Sequence, residues 1–64
     1  MGKLMRTPEV AEMLSIPEAT LRWWRHTGQG PKSFNLGARR VAYREEDVLA
    51  WVQEQYDAEH PAVA

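Results

Sequence analysis

The sequence contains no cysteine. Disulfides and thiolate-bound zinc are therefore excluded as braces for the fold. The same absence fits a reducing compartment. No apolar run approaches the ~20 residues that cross a bilayer, and "MGKLMRTPEV" lacks the apolar core of a secretory signal. The chain begins Met-Gly, but a myristoylation motif wants Ser or Thr where Arg6 stands. Histidine is scarce too, with His26 and His60 the only two. Glycine is limited to four, and "GQGP" leads toward a strand, unlike a phosphate-cradling loop, which opens a helix. Glu45, Glu46 and Asp47 are consecutive, so on a helix they splay apart and are better read as first-turn acids than as a metal or acid–base site. These absences predict a soluble, intracellular, non-enzymatic protein with no cofactor, no metal, no membrane contact and no small-molecule ligand.

One further absence is local. Between Thr20 and Arg44 there is no Asp or Glu, while Arg22, Arg25, Lys32, Arg39, Arg40 and Arg44 all fall there. The rest of the chain holds Lys3 and Arg6 against all nine acids. A formal net charge of −1 thus hides a basic segment and an acidic one. Segregation of this kind is the electrostatic footprint of a nucleic-acid binder.

What is present must fold by apolar packing alone. A chain of 64 residues makes one domain and buries only roughly 60% of its unfolded surface. "RTPEVAEML" reads as a helix over about 8–14, with Thr7 as N-cap, Pro8 at the first helical position and Glu9 near the positive dipole end. Pro17 ends the intervening turn and is placed to begin a second helix, "EATLRWWRHT", which stops at Gly28. Two short helices joined by a tight turn make a helix-turn-helix. "KSFNL" and "RVAYR" alternate with a period of two around a glycine, which predicts a β-hairpin with its tip at about Gly37–Arg40. A third helix follows over about 45–56, with Val48, Trp51, Val52 and Gln55 on one face. The expected fold is mainly α with a β-hairpin wing, a winged helix-turn-helix over 1–56. A flexible tail is expected over 57–64.

The pair Trp23–Trp24 tests this scheme. Neighbours on a helix point about 100° apart, so one face cannot bury both rings. Leu21 and Trp24 share the core face, and Trp24 is expected to meet Trp51 or the first helix. Trp23 then points outward with Ala19, Arg22 and His26. Two uses for it are open: covering the "GQGP" loop, or apolar contact in a DNA groove. Arg22 is suited to bidentate contact with guanine, and Glu18 to accepting from cytosine, although a first-turn acid explains Glu18 equally well. Arg25, at the edge of the core face, either lays its stem on Trp24 or reaches a phosphate. Arg39 and Arg40 at a hairpin tip suit the DNA backbone or the minor groove. The expected DNA contacts are Thr20, Arg22, Trp23, Arg25, His26, Lys32, Arg39 and Arg40. "KLMR" is strand-like and suited to pairing with a wing edge, its own or a neighbouring copy's.

Taken together, "TPEVAEML", "TLRWWR", "GQGP", "LGARRVAYR" and "DVLAWV" resemble the small MerR-superfamily winged helix-turn-helix proteins. These include phage excisionases (recombination directionality factors) and AlpA-like regulators. The resemblance covers about 4–53 and departs from the commoner pattern at Pro17, where Ser or Thr is usual. It implies a recognition helix in the major groove carrying Arg22, Trp23 and His26, and wing arginines Arg39 and Arg40 on the minor groove or backbone. An excisionase would bind direct repeats of double-stranded DNA beside copies of itself, bend the DNA and help an integrase toward excision. It would work in the cytoplasm of a bacterial host. The alternatives are an AlpA-like transcriptional regulator and, from another class, a protein-interaction module anchored by Trp23. No sensor domain is expected, which favours the excisionase reading.

Overall fold

A computed structural model describes residues 3–60. The order of elements is β1 (Leu4–Arg6), α1 (Thr7–Leu14), α2 (Glu18–Thr27), β2 (Phe34–Leu36), β3 (Arg40–Arg44) and α3 (Glu45–Glu59). The helix-turn-helix and its hairpin wing are present. β1 turns the hairpin into a three-stranded antiparallel sheet of order β1-β3-β2. "KLMR" therefore completes the chain's own wing. Met5 pairs with Tyr43, and Arg6 with Ala42.

Each element starts and stops for a local reason. α1 begins one residue earlier than expected. Its N-cap is Arg6, whose amide donates to Glu9 Oε1 at 2.9 Å, so Thr7 is helical and caps nothing with its side chain. Glu9, the third residue of the helix, thus reaches back to the amide of the N-cap, as the acid of a capping box does. α1 ends at Ser15, in the left-handed region at φ 58°, where the amide of Ile16 donates to Ala11 O at 3.0 Å. Pro17 stands just outside α2 as its N-cap, not as its first residue, and its carbonyl accepts from the amides of Thr20 and Leu21. Gly28, at φ 79°, ends α2 as expected.

The core lies between α1, α2, the inner face of the sheet and the start of α3. Met5, Val10, Ala11, Leu21, Tyr43 and Val48 form it, with Leu14, Ile16, Trp24 and Val41 packed around them. Leu21 and Val48 have their expected positions. The period of two in "RVAYR" holds on the core side, where Tyr43 is buried and Val41 half-buried. It fails at Ala42, which is buried although it faces away from the core. Ala42 stands in the central strand with Arg6 on one side and Phe34 on the other, and those longer side chains cover it.

α3 is longer than expected and takes in Asp57, Ala58 and Glu59, part of the stretch read as a tail. Gln53 donates to Asp57 Oδ1 at 2.9 Å across one turn, a bond that carries the helix past Tyr56. The rest of that expected tail, 61–64, lies outside the described residues. Val52, expected on the inner face of α3, is 40% exposed.

Candidate nucleic-acid interface

α2 presents two faces, and the adjacent tryptophans divide between them. Trp24 turns inward and meets Trp51 of α3, ring centroids 5.4 Å apart and planes tilted by 47°. Trp23 turns outward, 62% exposed, with the His26 ring 6.1 Å away. The loop after α2 packs on the inner tryptophan. A Cβ at Gly30, itself at φ 79°, would stand 3.0 Å from Trp24 Cε3. "GQGP" therefore covers Trp24 and leaves Trp23 open.

Beside the outward face of α2 the chain forms a hollow of about 240 Å³. Three parts of the fold line it: Arg6, Thr7 and Pro8 where β1 enters α1, Glu18, Arg22 and Arg25 on α2, and Arg39, Arg40 and Val41 on the wing. Five guanidinium groups thus surround one depression with a single carboxylate, Glu18. That carboxylate is 3.9 Å from Arg22, an exposed pair one helical turn apart. Among the described residues no carboxylate lies within 4.0 Å of the guanidinium groups of Arg6, Arg25, Arg39 or Arg40. Arg39 sits in the turn, and Arg40 opens β3 opposite Leu36. The tip is therefore one residue tighter than expected, with Arg40 held by the ladder.

The fold gathers Arg22, Arg25, Arg39 and Arg40 at this hollow. Arg25 joins the wing arginines there. Thr20, half-buried in the first turn of α2, and Trp23 and His26 stand elsewhere on α2. Lys32 faces the other way, toward Asp47, Trp51 and Glu54 of α3. Arg44, counted in the basic segment, is withdrawn from the interface altogether. Its Nε donates to Asp47 Oδ2 at 2.9 Å and its Nη2 to Asp47 Oδ1 at 3.1 Å, while Glu46 lies 3.2 Å from Nη1. The hydrogen bond from Arg44 holds the Asp47 carboxyl below its ordinary range, helped by the charges of Arg44 and Lys32 against some desolvation. The same bond raises Arg44.

Arg6 is the member of this group that the sequence reading missed. The signal was present in two separate features: "LMR" as a strand with Met5 inward, and the expected pairing of that strand with the wing. Joined in register, they set Arg6 opposite Ala42, beside Arg40.

A larger hollow of about 660 Å³ opens where Trp24 and Trp51 meet, lined also by Gly28, Gln29, Gly30 and Gln55. It holds no charged side chain and cannot neutralise a phosphate, so the smaller, arginine-lined hollow is the candidate site. Among the described residues no cluster of His, Asp and Glu could hold a metal ion, and no helix is long and apolar enough to cross a membrane.

No curated protein and no solved structure matches the chain. Residues 4–56 match the model of a family described as a helix-turn-helix domain, a family of small DNA-binding domains. Double-stranded DNA is the partner that this match supports, and such domains are generally non-enzymatic. By a match that spans most of its length, this chain belongs to the helix-turn-helix domain family.

Proposed function

We propose that the chain is a sequence-specific, architectural binder of double-stranded DNA that works as an excisionase. Copies bind neighbouring repeats, bend the DNA and direct an integrase toward excision. One observation carries the DNA-binding part: arginines distant in sequence converge on one hollow between α2 and the wing, answered by a single carboxylate. In this reading α2 enters the major groove with Arg22, Trp23 and His26 turned to it, and Arg22 selects guanine. Thr20 flanks that contact, while Lys32, turned toward α3, takes no part in it. Arg25, Arg39 and Arg40 bind the backbone, and the wing tip reaches toward the minor groove. One domain with so few contacts binds weakly, so neighbouring copies on adjacent sites gain affinity through effective concentration. The excisionase role rests on the resemblance of "TLRWWR" and "LGARRVAYR" to that group. An AlpA-like regulator would use the same surface.

Salt titration tests the DNA-binding part. The logarithm of the binding constant for a duplex should fall with the logarithm of salt with a slope steeper than about −3, given ~0.9 per neutralised phosphate. A flat response would reject DNA binding and favour a protein interface centred on the exposed Trp23. Footprinting around the gene tests the role. Protected repeats beside an integrase attachment site support excision, whereas protection confined to a promoter overturns it.

A further inference from the structure

We infer that Arg6 is a DNA contact, and that the arginine-lined hollow seats a phosphodiester of the duplex backbone between the start of α1 and the wing. The inference rests on the DNA-binding reading above and extends it to a third element, since neither β1 nor α1 belongs to the recognition helix or the hairpin.

The geometry is specific. Arg6 pairs with Ala42 in the β1–β3 ladder. Arg40 is two residues from Ala42 on the same strand, hence on the same face of the sheet. Arg6 and Arg40 are thus diagonal neighbours, ~7–8 Å apart across the ladder. Two like charges at that spacing repel, and here no acid stands between them. The nearest acid in sequence is already engaged: Glu9 accepts the Arg6 amide through Oε1 and lies 4.0 Å from Lys3 through Oε2. The one carboxylate in the hollow, Glu18, is likewise committed to Arg22. The arrangement raises the free energy of the unliganded protein and is relieved by an anion placed between the guanidinium groups.

Size and access fit a phosphodiester. The hollow of about 240 Å³ is several times the ~30 Å³ share of one water molecule in the liquid. It is open to solvent, and Thr7 adds a hydroxyl to its rim. Its place beside the outward face of α2 is where the duplex backbone passes when that helix lies in the major groove. A guanidinium presents a planar fork of donors suited to phosphate oxygens.

The test uses the full chain and a random-sequence duplex of about 20 base pairs, because a backbone contact needs no target sequence. Arg6→Gln keeps the backbone bond to Glu9 and removes only the charge. It should weaken binding several-fold and make the salt slope shallower by about one. Arg6→Lys should keep the slope. A slope unchanged in Arg6→Gln, while Arg40→Gln loses about one, overturns the assignment and leaves the DNA-binding reading standing. A flat slope in the unsubstituted protein rejects that reading itself. Should Arg6→Gln fail to fold, the Nε–Hε resonance of Arg6 in the unsubstituted protein decides. It should shift on adding the duplex and move far less with inorganic phosphate at the same ionic strength. A resonance unmoved by the duplex, or moved as far by inorganic phosphate alone, overturns the proposal.

Discussion

The basic segment of this chain divides into two regions with opposite electrostatics. Around one end of β3, Arg22, Arg25, Arg39 and Arg40 join Arg6 about a hollow with one acid among them. At the other end, Arg44 is tied to Asp47 and Glu46, and Lys32 looks toward Asp47 and Glu54. The six cations are equivalent in sequence, yet only four contribute to the field of the candidate interface. The difference arises from α3, whose acidic first turn folds back beneath the last residue of β3 and neutralises what stands there. Arg39 and Arg40, at the far end of β3, have no carboxylate within 4.0 Å among the described residues and keep their charge available for phosphate. A near-neutral protein can thus carry a strongly positive face, provided that most of its acids stand elsewhere, as six of the nine do on α3.

The two tryptophans of α2, one turned inward and one outward, give the largest expected contrast. Trp24→Ala removes a ring from contact with Trp51 and the GQGP loop. Large-to-small changes of this kind cost ~3–5 kcal/mol, most of what so small a domain has. Thermal or urea denaturation should find the variant largely unfolded. Trp23→Ala should leave the melting temperature within a few degrees of the parent and alter only DNA affinity. If Trp23→Ala proves the more destabilising, the helix is wrongly phased and the division into two regions fails with it.

Two glycines sharpen the same contrast at smaller scale. Gly30 and Gly37 both have φ of 79°, but only Gly30 lies against a side chain, with Trp24 3.0 Å from where a Cβ would stand. Alanine at Gly37, on the wing, meets open space and bears only the backbone strain, of order 1 kcal/mol. Alanine at Gly30 bears that strain and must also displace the indole. Chemical denaturation should therefore rank Gly30→Ala clearly below Gly37→Ala. Equal losses would mean that the loop does not pack on Trp24.

Much of this division was legible in the sequence, because its signals are local. Leu21 and Trp24 three residues apart, Gly28 after the last helical residue, and Pro17 between two apolar stretches each act over one turn. They correctly implied the inward Trp24 and the outward Trp23; of the two partners expected for Trp24, Trp51 and the first helix, it is the ring of Trp51 that stands beside its own. What could not be read depends on pairing across distance. Arg44 and Lys32 counted as free cations because the acids that hold them lie on the next helix. Arg6 was overlooked because its place beside Arg40 follows from the register of two strands far apart in sequence, and register is set by the whole sheet. Thr7 lost the N-cap to a competitor that composition cannot rank, the reach of Glu9 to the Arg6 amide. α3 outran its expected end because a polar pair, Gln53 and Asp57, prolongs it where the apolar pattern stops.

Arginine substitutions test the electrostatic side directly. Arg39→Ala or Arg40→Ala should weaken binding to all duplexes alike, several-fold at moderate salt, with a slope shallower by about one. Arg44→Ala should leave both affinity and slope near those of the parent, because its charge is already answered by Asp47 and Glu46. Anisotropy titrations at several salt concentrations separate the cases. If Arg44→Ala matched Arg40→Ala, the pairing would not shield Arg44 from DNA, and the two regions would be electrostatically one.

The smallest expected effect concerns what holds the paired region together. Asp47 lies below its ordinary pKa chiefly because Arg44 donates hydrogen bonds to it. A carboxyl whose folded value is depressed stabilises the native state above its unfolded value, about 3.9 for aspartate, and that stability is lost as pH falls through the lower folded value. The pair should therefore contribute fully at neutral pH and disappear only below about pH 4. Because it is solvent-exposed, water and salt screen it, and its contribution is small. Asp47→Asn should lower the melting temperature slightly at pH 7, with the gap to the parent closing as the solution is acidified below pH 4. The same variant releases Arg44 from its stronger partner while Glu46 remains, so DNA binding should tighten only marginally. A large gain in affinity would show that Asp47, and not the place of Arg44 at the far end of β3, keeps it away from DNA.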